Sequence, residues 1–288
     1  MNEADLAALY EAQRSELTEN KVYTLLAKIE KDPDNKKVLL KLAGEEGNHA
    51  KILEKYTNKK ASLKPLTVFK FYWLARILGV TFAIKLMERQ EGNAENFYAK
   101  FTEYPELQKI AHEENNHEMH LVAMINEERL EYMGSVVLGL NDALVEFTGA
   151  LAGFTLALND APLIALTGSI TGISAALSMA SSEYLATKSE NDDTKHPVKA
   201  AIYTGIAYII TVAILISPFI FISNVLLALA TMLVFALIII ALFNYYYSVA
   251  RGESFKKRFS EMAILSFSVA GISFLIGYAL KCFTGIEV

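Results

Sequence analysis

Glu46-Gly-Asn-His49 and Glu114-Asn-Asn-His117 are two copies of one pattern, Glu-x-x-His, in the more charged half of a 288-residue chain. Three residues is close to one helical turn, so each copy projects a carboxylate and an imidazole from one helix face. Ahead of the first copy stands Glu16-Leu-Thr-Glu-Asn-Lys-Val-Tyr23, and ahead of the second Glu91-Gly-Asn-Ala-Glu-Asn-Phe-Tyr98. Both read Glu-x6-Tyr. The unit Glu…Glu-x-x-His therefore occurs twice, which is the ligand set of a four-helix bundle holding two carboxylate-bridged metal ions in its core. A single Glu-x-x-His is common on solvated helix faces, and it is the duplication that singles these residues out.

Charge divides the chain near residue 133. Residues 1–133 carry 19 Lys and Arg with 22 Asp and Glu, whereas residues 134–288 carry 8 and 10 and are dominated by Ile, Leu, Ala, Phe and Gly. The expected organisation is all-α, with a helical bundle for water in 1–133 and a membrane domain in 134–288. A net charge of −5 argues against a nucleic-acid partner. Cys282 is the only cysteine, which excludes an intramolecular disulfide and a cysteine metal site within one chain. The opening Met1-Asn-Glu-Ala-Asp-Leu6 has no basic segment followed by an apolar run, so no signal peptide is expected and the bundle is expected in the cytosol.

Four helices are predicted in the first part. The first covers residues 3–31 and stops at Asp32-Pro-Asp-Asn35, and the second covers 35–57. A long third helix is predicted over 66–101, ended by Glu103-Tyr-Pro105, and a fourth over 106–132. Residues 71–87 are strongly apolar, but Arg76 and Lys85 interrupt them and they fall short of the ~20 residues that span a bilayer. They are expected to form a bundle helix with a surplus apolar face over 71–82. A second copy or the bilayer would cover such a face, and a homodimer is the expected answer.

Five apolar stretches follow, near 135–158, 162–187, 198–222, 225–249 and 262–281, each long enough to cross a hydrocarbon core of about 30 Å. The connections over 188–199 and 251–258 are rich in Lys and Arg, while Asn159-Asp160-Ala-Pro162 and Ser223-Asn224 have neither. The positive-inside rule then puts residues 1–133 on the cytosolic side of the cytoplasmic (inner) membrane and the C-terminus outside. Asp142 and Glu146 lie four apart in the first stretch, and Met179 and Glu183 four apart near the end of the second, so each pair forms a column on one helix face. Carboxylates in a bilayer cost several kcal/mol unless they face a protein interior, a cavity or a partner. No Lys or Arg stands inside the five stretches away from their edges, which makes a transported cation the natural partner. Carboxylates with a thioether suit a divalent transition ion better than Ca²⁺ or Mg²⁺. Taken singly, Met179 also reads as ordinary packing and Glu183 as a hydrated residue at the interface. Gly139, Gly149, Gly153, Gly168 and Gly172 would let these helices approach closely.

With these residues in view, the first 133 resemble the rubrerythrin and ferritin-like superfamily through the duplicated Glu…Glu-x-x-His. The remainder resembles the vacuolar iron transporter family in Asn141-Asp142-Ala-Leu-Val-Glu146, in Ser178-Met179-Ala-Ser-Ser-Glu183-Tyr184-Leu-Ala-Thr-Lys188, and in Gly252-Glu-Ser-Phe-Lys-Lys-Arg-Phe-Ser-Glu-Met262. Together they look like a membrane-bound ferritin-like protein. The resemblance implies a five-span homodimer in membrane lipid, with Fe²⁺ or Mn²⁺ crossing near Asp142 and Met179 in exchange for protons. Glu146 and Glu183 complete the expected path. In the bundle Glu16, Glu46, His49, Glu91, Glu114 and His117 would ligate a di-iron site, with Glu88 a further bridging or switching carboxylate. Ala143 stands where the family often has Gly, and a single cysteine cannot build the rubredoxin-type site of true rubrerythrins. The expected function is export of Fe²⁺, with Mn²⁺ as a further cargo, by proton antiport, the bundle collecting or oxidising the metal. The rival expectation is a membrane-tethered di-iron oxidase whose spans serve only as an anchor.

Overall fold

Helix boundaries in this chain follow from short local signals. Asn2 accepts the Asp5 N–H at 2.7 Å while the Asp5 carboxylate accepts the Asn2 N–H at 3.0 Å, a reciprocal cap that starts α1 (Glu3–Ile29). The Asp32 carboxylate accepts from the Asp34 and Asn35 N–H groups, both at 2.9 Å, and Pro33 opens α2 (Pro33–Thr57). Asn58, at φ 51°, ends it in the left-handed region. The computed structural model describes residues 1–91, 97, 98, 100–123, 132–190 and 195–284. Ten helices and no strand occur among them. The chain falls into two compact units, Met1–Glu127 and Glu128–Val288.

In the first unit α1 and α2 pack closely. The Asn20 amide donates to the Ala43 carbonyl at 2.5 Å, and a Cβ on Gly47 would lie 3.0 Å from the same Asn20 side chain. The connection after α2 is tied along α1, with Gln13 donating to the Lys59 carbonyl at 3.0 Å and the Lys64 N–H donating to Thr18 Oγ1 at 3.1 Å. The third predicted helix is not continuous. Gly79 adopts φ 106°, a region open to glycine and costly for other residues, and divides it into α3 (Pro65–Leu78) and α4 (Val80–Glu91). The break changes which face is surplus: Phe71 and Phe82, expected on an outer face, are buried, while Leu66, Phe69, Trp73 and Ile77 are exposed. α5 (Pro105–Ala123) adds Leu107 and Ile110 to a core with Leu9, Leu53 and Tyr98.

The second unit holds α6 (Met133–Leu158), α7 (Ala161–Ser189), α8 (Pro197–Phe221), α9 (Val225–Arg251) and α10 (Phe255–Thr284). Each is long and apolar enough to cross a membrane. Asp160 caps α7 through the Leu163 N–H at 2.8 Å, and Asn224 caps α9 through the Leu227 N–H at 3.0 Å. α10 starts at Phe255, ahead of the apolar stretch expected from 262, so Lys256, Lys257 and Arg258 form its first turn. Close approach is built in at glycine. A Cβ on Gly139 would come within 2.5 Å of the Thr204 carbonyl oxygen on α8, and one on Gly277 within 2.5 Å of the Gly153 carbonyl oxygen, so α6 meets α8 and α10 backbone to backbone.

Candidate metal centre and membrane path

Each bundle helix buries a stripe of 3.6-residue period, and acidic side chains occupy positions in it that apolar ones would ordinarily hold. On α1 Glu16 is buried in the stripe of Leu9, Val22, Tyr23 and Leu26. On α2 Glu46 and His49 are buried between Leu42 and Leu53. α5 carries Glu114 one turn beyond Ile110, half-buried. The result is a cluster of Glu16, Glu46, His49 and Glu114 whose ligand atoms all lie within 4.8 Å of one another. His49 Nδ1 is 3.0 Å from Glu114 Oε1, 3.3 Å from Glu46 Oε2 and 3.7 Å from Glu16 Oε2. Its Nε2 lies 3.0 Å from Glu113 Oε2.

Buried carboxylates are costly unless compensated, and here protons and hydrogen bonds within the cluster supply the compensation. Burial, then the Glu114 carboxylate, pushes Glu16 well above the usual carboxylate range. Burial alone would disfavour the charged form of His49, but its contacts with Glu114, Glu16 and Glu46 outweigh that and raise it, so the imidazolium persists. The Tyr98 hydroxyl donates to Glu16 Oε1, and burial followed by that neighbouring carboxylate raises the phenol so that it stays a donor. The Tyr of the second Glu-x6-Tyr thus holds the Glu of the first. Glu16 Oε2 has no hydrogen-bond partner among the described residues. Three carboxylates and an imidazole converging in a core, with one oxygen so placed, fit a hard to borderline metal ion.

Not all predicted ligands meet there. Glu88 is half-buried on α4 with one carboxylate oxygen shielded from solvent, and it is outside the group of four. The side chains of Glu91 and His117 lie outside the described residues. Two further acids escaped the sequence reading. Glu19 is buried one turn after Glu16, a spacing that could have revealed it. Glu113 reaches the far nitrogen of His49, and only the angle between α2 and α5 makes that contact.

In the second unit the Ser135 hydroxyl donates to Glu183 Oε1 at 2.5 Å, which sets the level of α6 against α7. At 1.5 Å rise per residue Met179 then stands about 6 Å further in, Asp142 about 10 Å and Glu146 about 16 Å. Directly after Asp142, Ala143–Phe147 forms a π turn inside α6 that includes Glu146, a local i→i+5 winding of a kind frequent at functional sites. Asp142 is half-buried, Glu146 is exposed on the unit's surface, and Met179 packs against the core. Around the turn Asn141 Oδ1, Thr148 Oγ1 and the buried Tyr208 hydroxyl have no hydrogen-bond partner among the described residues. Asn141 entered the sequence reading only as part of the Asn141–Glu146 motif, and Thr148 and Tyr208 did not enter it, since uncharged polar residues in spans carry no spacing signal.

A rubrerythrin family model matches residues 8–125, which include every candidate metal ligand of the bundle, and a VIT family model matches residues 133–196, which include Asp142, Glu146, Met179 and Glu183. No curated protein and no solved structure matches the chain. With five long apolar helices, this is a multi-pass membrane protein whose N-terminal part is similar to rubrerythrins and whose first two long apolar helices are similar to the VIT family, a pairing that suggests di-iron binding in the first part and membrane metal transport in the second.

Proposed function

We propose that this chain exports Fe²⁺ from the cytosol in exchange for protons, with Mn²⁺ as a second cargo, and that its bundle binds two iron ions and collects or oxidises metal before transfer. The observation that carries the reading is the pair Asp142, at the start of a π turn, and Glu146, within it, inside an otherwise apolar span. A bare anchor would gain nothing from either carboxylate, and each costs several kcal/mol in lipid. Glu146, exposed on the unit's surface, favours a path completed by a second copy, hence a homodimer in the inner membrane with the bundle cytosolic. Glu183 and Met179 receive the cation, the thioether favouring a transition ion. Ionised Asp142 attracts it, and a proton arriving from the far side removes that attraction.

In the bundle Glu16, Glu46, His49 and Glu114, with Glu88, Glu91 and His117, would hold the iron. Bound iron would supply one-electron chemistry toward O₂. The protein's own part is to orient Glu16 through Tyr98, to accept or release the His49 proton as charge in the cluster changes, and to keep bulk water out with the surrounding Leu and Tyr side chains.

Paired recording of metal and pH in proteoliposomes tests the transport reading. Asp142→Asn should stop both metal flux and proton counter-flux while the protein still folds, and Met179→Leu should weaken selectivity against Ca²⁺. Full metal-driven proton movement in Asp142→Asn would move the coupling residue elsewhere. The deep burial of the bundle cluster favours one rival, a membrane-tethered oxidase. It predicts Fe²⁺ oxidation without any flux, in the full chain and in Asp142→Asn alike.

A further inference from the structure

α3 exposes a long apolar stripe on the first unit: Leu66 is 83% exposed, Phe69 64%, Trp73 47% and Ile77 65%. At about 100° per residue these four fall within an arc of about 80°, and Lys70 and Arg76, both exposed, border it on opposite sides. The buried Phe71 and Ala75 face the other way, into the bundle. Such a stripe, tryptophan included, with cations along both edges has the pattern of a helix lying in a membrane interface. Lys and Arg there reach the headgroups while their stems cover apolar surface.

Charge separates the two candidates for what covers this stripe. Residues 58–87 contain Lys59, Lys60, Lys64, Lys70, Arg76 and Lys85 and no Asp or Glu, in a unit that is otherwise acidic. A two-fold dimer through the stripe would set the Lys70 and Arg76 edges of one copy beside the cationic edges of the other, since an isologous contact joins a patch to itself. An anionic lipid surface meets the same cations with opposite charge. The first long apolar helix starts at Met133, only ten residues after Ala123 in sequence, so the bundle is tethered by a short segment to the part of the chain that crosses the membrane.

We infer that α3 docks on the anionic surface of the bilayer, with Leu66, Phe69, Trp73 and Ile77 seated at the headgroup boundary and Lys70 and Arg76 on acidic headgroups. This inference rests on the chain spanning a membrane and is independent of what it transports.

Trp73 is the chain's single tryptophan, so its emission reports on this face alone. The full chain is reconstituted in vesicles of phosphatidylcholine, with and without phosphatidylglycerol, and with brominated phosphatidylcholine as a lipid-borne quencher. With the anionic lipid present, Trp73 emission should shift to the blue, be quenched by the brominated lipid and lose several-fold of its quenching by acrylamide. Lys70→Glu with Arg76→Glu, or raised salt, should return the spectrum to that seen in neutral lipid. Should that double variant misfold, Leu66→Ser with Ile77→Ser tests the same face and should lose the brominated-lipid quenching. Equal quenching in neutral and anionic vesicles would overturn the inference, as would a Trp73 open to acrylamide and untouched by brominated lipid in both. A Trp73 shielded from both quenchers, with Phe69→Cys cross-linking chain to chain, would overturn it in favour of a second copy.

Discussion

Replacing Glu16 by Gln and, separately, His49 by Leu should separate the metal role of the bundle cluster from its role in stability. In the metal-free protein burial and the neighbouring Glu114 favour the protonated form of Glu16. Gln is then close to an isostere that still accepts from Tyr98, and Glu16→Gln should cost no more than about 1 kcal/mol of metal-free stability. Removing the imidazolium is different. It leaves Glu46 and Glu114 with ligand atoms within 4.8 Å of each other and no cation between them. Coulomb repulsion at that distance is about 3.5 kcal/mol at an effective dielectric constant of about 20. Stripping one partner from a buried ionic cluster commonly costs about 3–5 kcal/mol, so His49→Leu should lose that much. Metal binding should suffer in both. Removing only supporting residues around a metal typically costs 10–100-fold in affinity, so loss of a ligand should cost at least about 100-fold. The assays are urea unfolding of the metal-free full chain followed by Trp73, which lies in the first unit, and metal analysis of the loaded protein. If Glu16→Gln destabilised as much as His49→Leu, the proton would not be on Glu16, and if both variants kept full metal stoichiometry the cluster would not be the metal site.

The same protons set a pH dependence. His49 is raised in the folded protein, so its contribution to metal-free stability is fully present below its unfolded value near 6.5 and declines as pH climbs toward the higher folded value, by up to about 1.4 kcal/mol per unit. Metal binding must displace that proton, so affinity should rise with pH and calorimetry in buffers of different ionisation enthalpy should detect proton release. Gly139→Ala would push a Cβ to 2.5 Å from the Thr204 carbonyl and should cost about 1–3 kcal/mol, read as a lower unfolding temperature of the second unit in detergent. Asp32→Ala removes the acceptor for the Asp34 and Asn35 N–H groups and should destabilise the bundle by about 1 kcal/mol in the Trp73-monitored urea titration, without touching metal stoichiometry.

Helical periodicity and apolar runs were enough to read an all-α chain with five long apolar helices and carboxylates in the first, and the repeated Glu-x-x-His spacing was enough to bring Glu16, Glu46, His49 and Glu114 to notice. Helical spacing determines which side chains share a face, and a face that is apolar around an acid has to turn inward. That information is local and survives in one dimension. Sequence could not tell that the third helix breaks at Gly79, because a glycine in a helical pattern is tolerated as often as it ends one, and only the packing of Phe71 and Phe82 into the core selects φ 106° there. It could not find Glu113, which faces His49 only because α5 crosses α2 at a particular angle, nor the Tyr98 hydroxyl on Glu16, a contact between residues 82 apart. The π turn that follows Asp142 and contains Glu146 was hidden for a related reason. Its extra winding lies where α6 packs closely against α8 and α10, and the four-residue spacing that brought the two carboxylates to notice does not encode it.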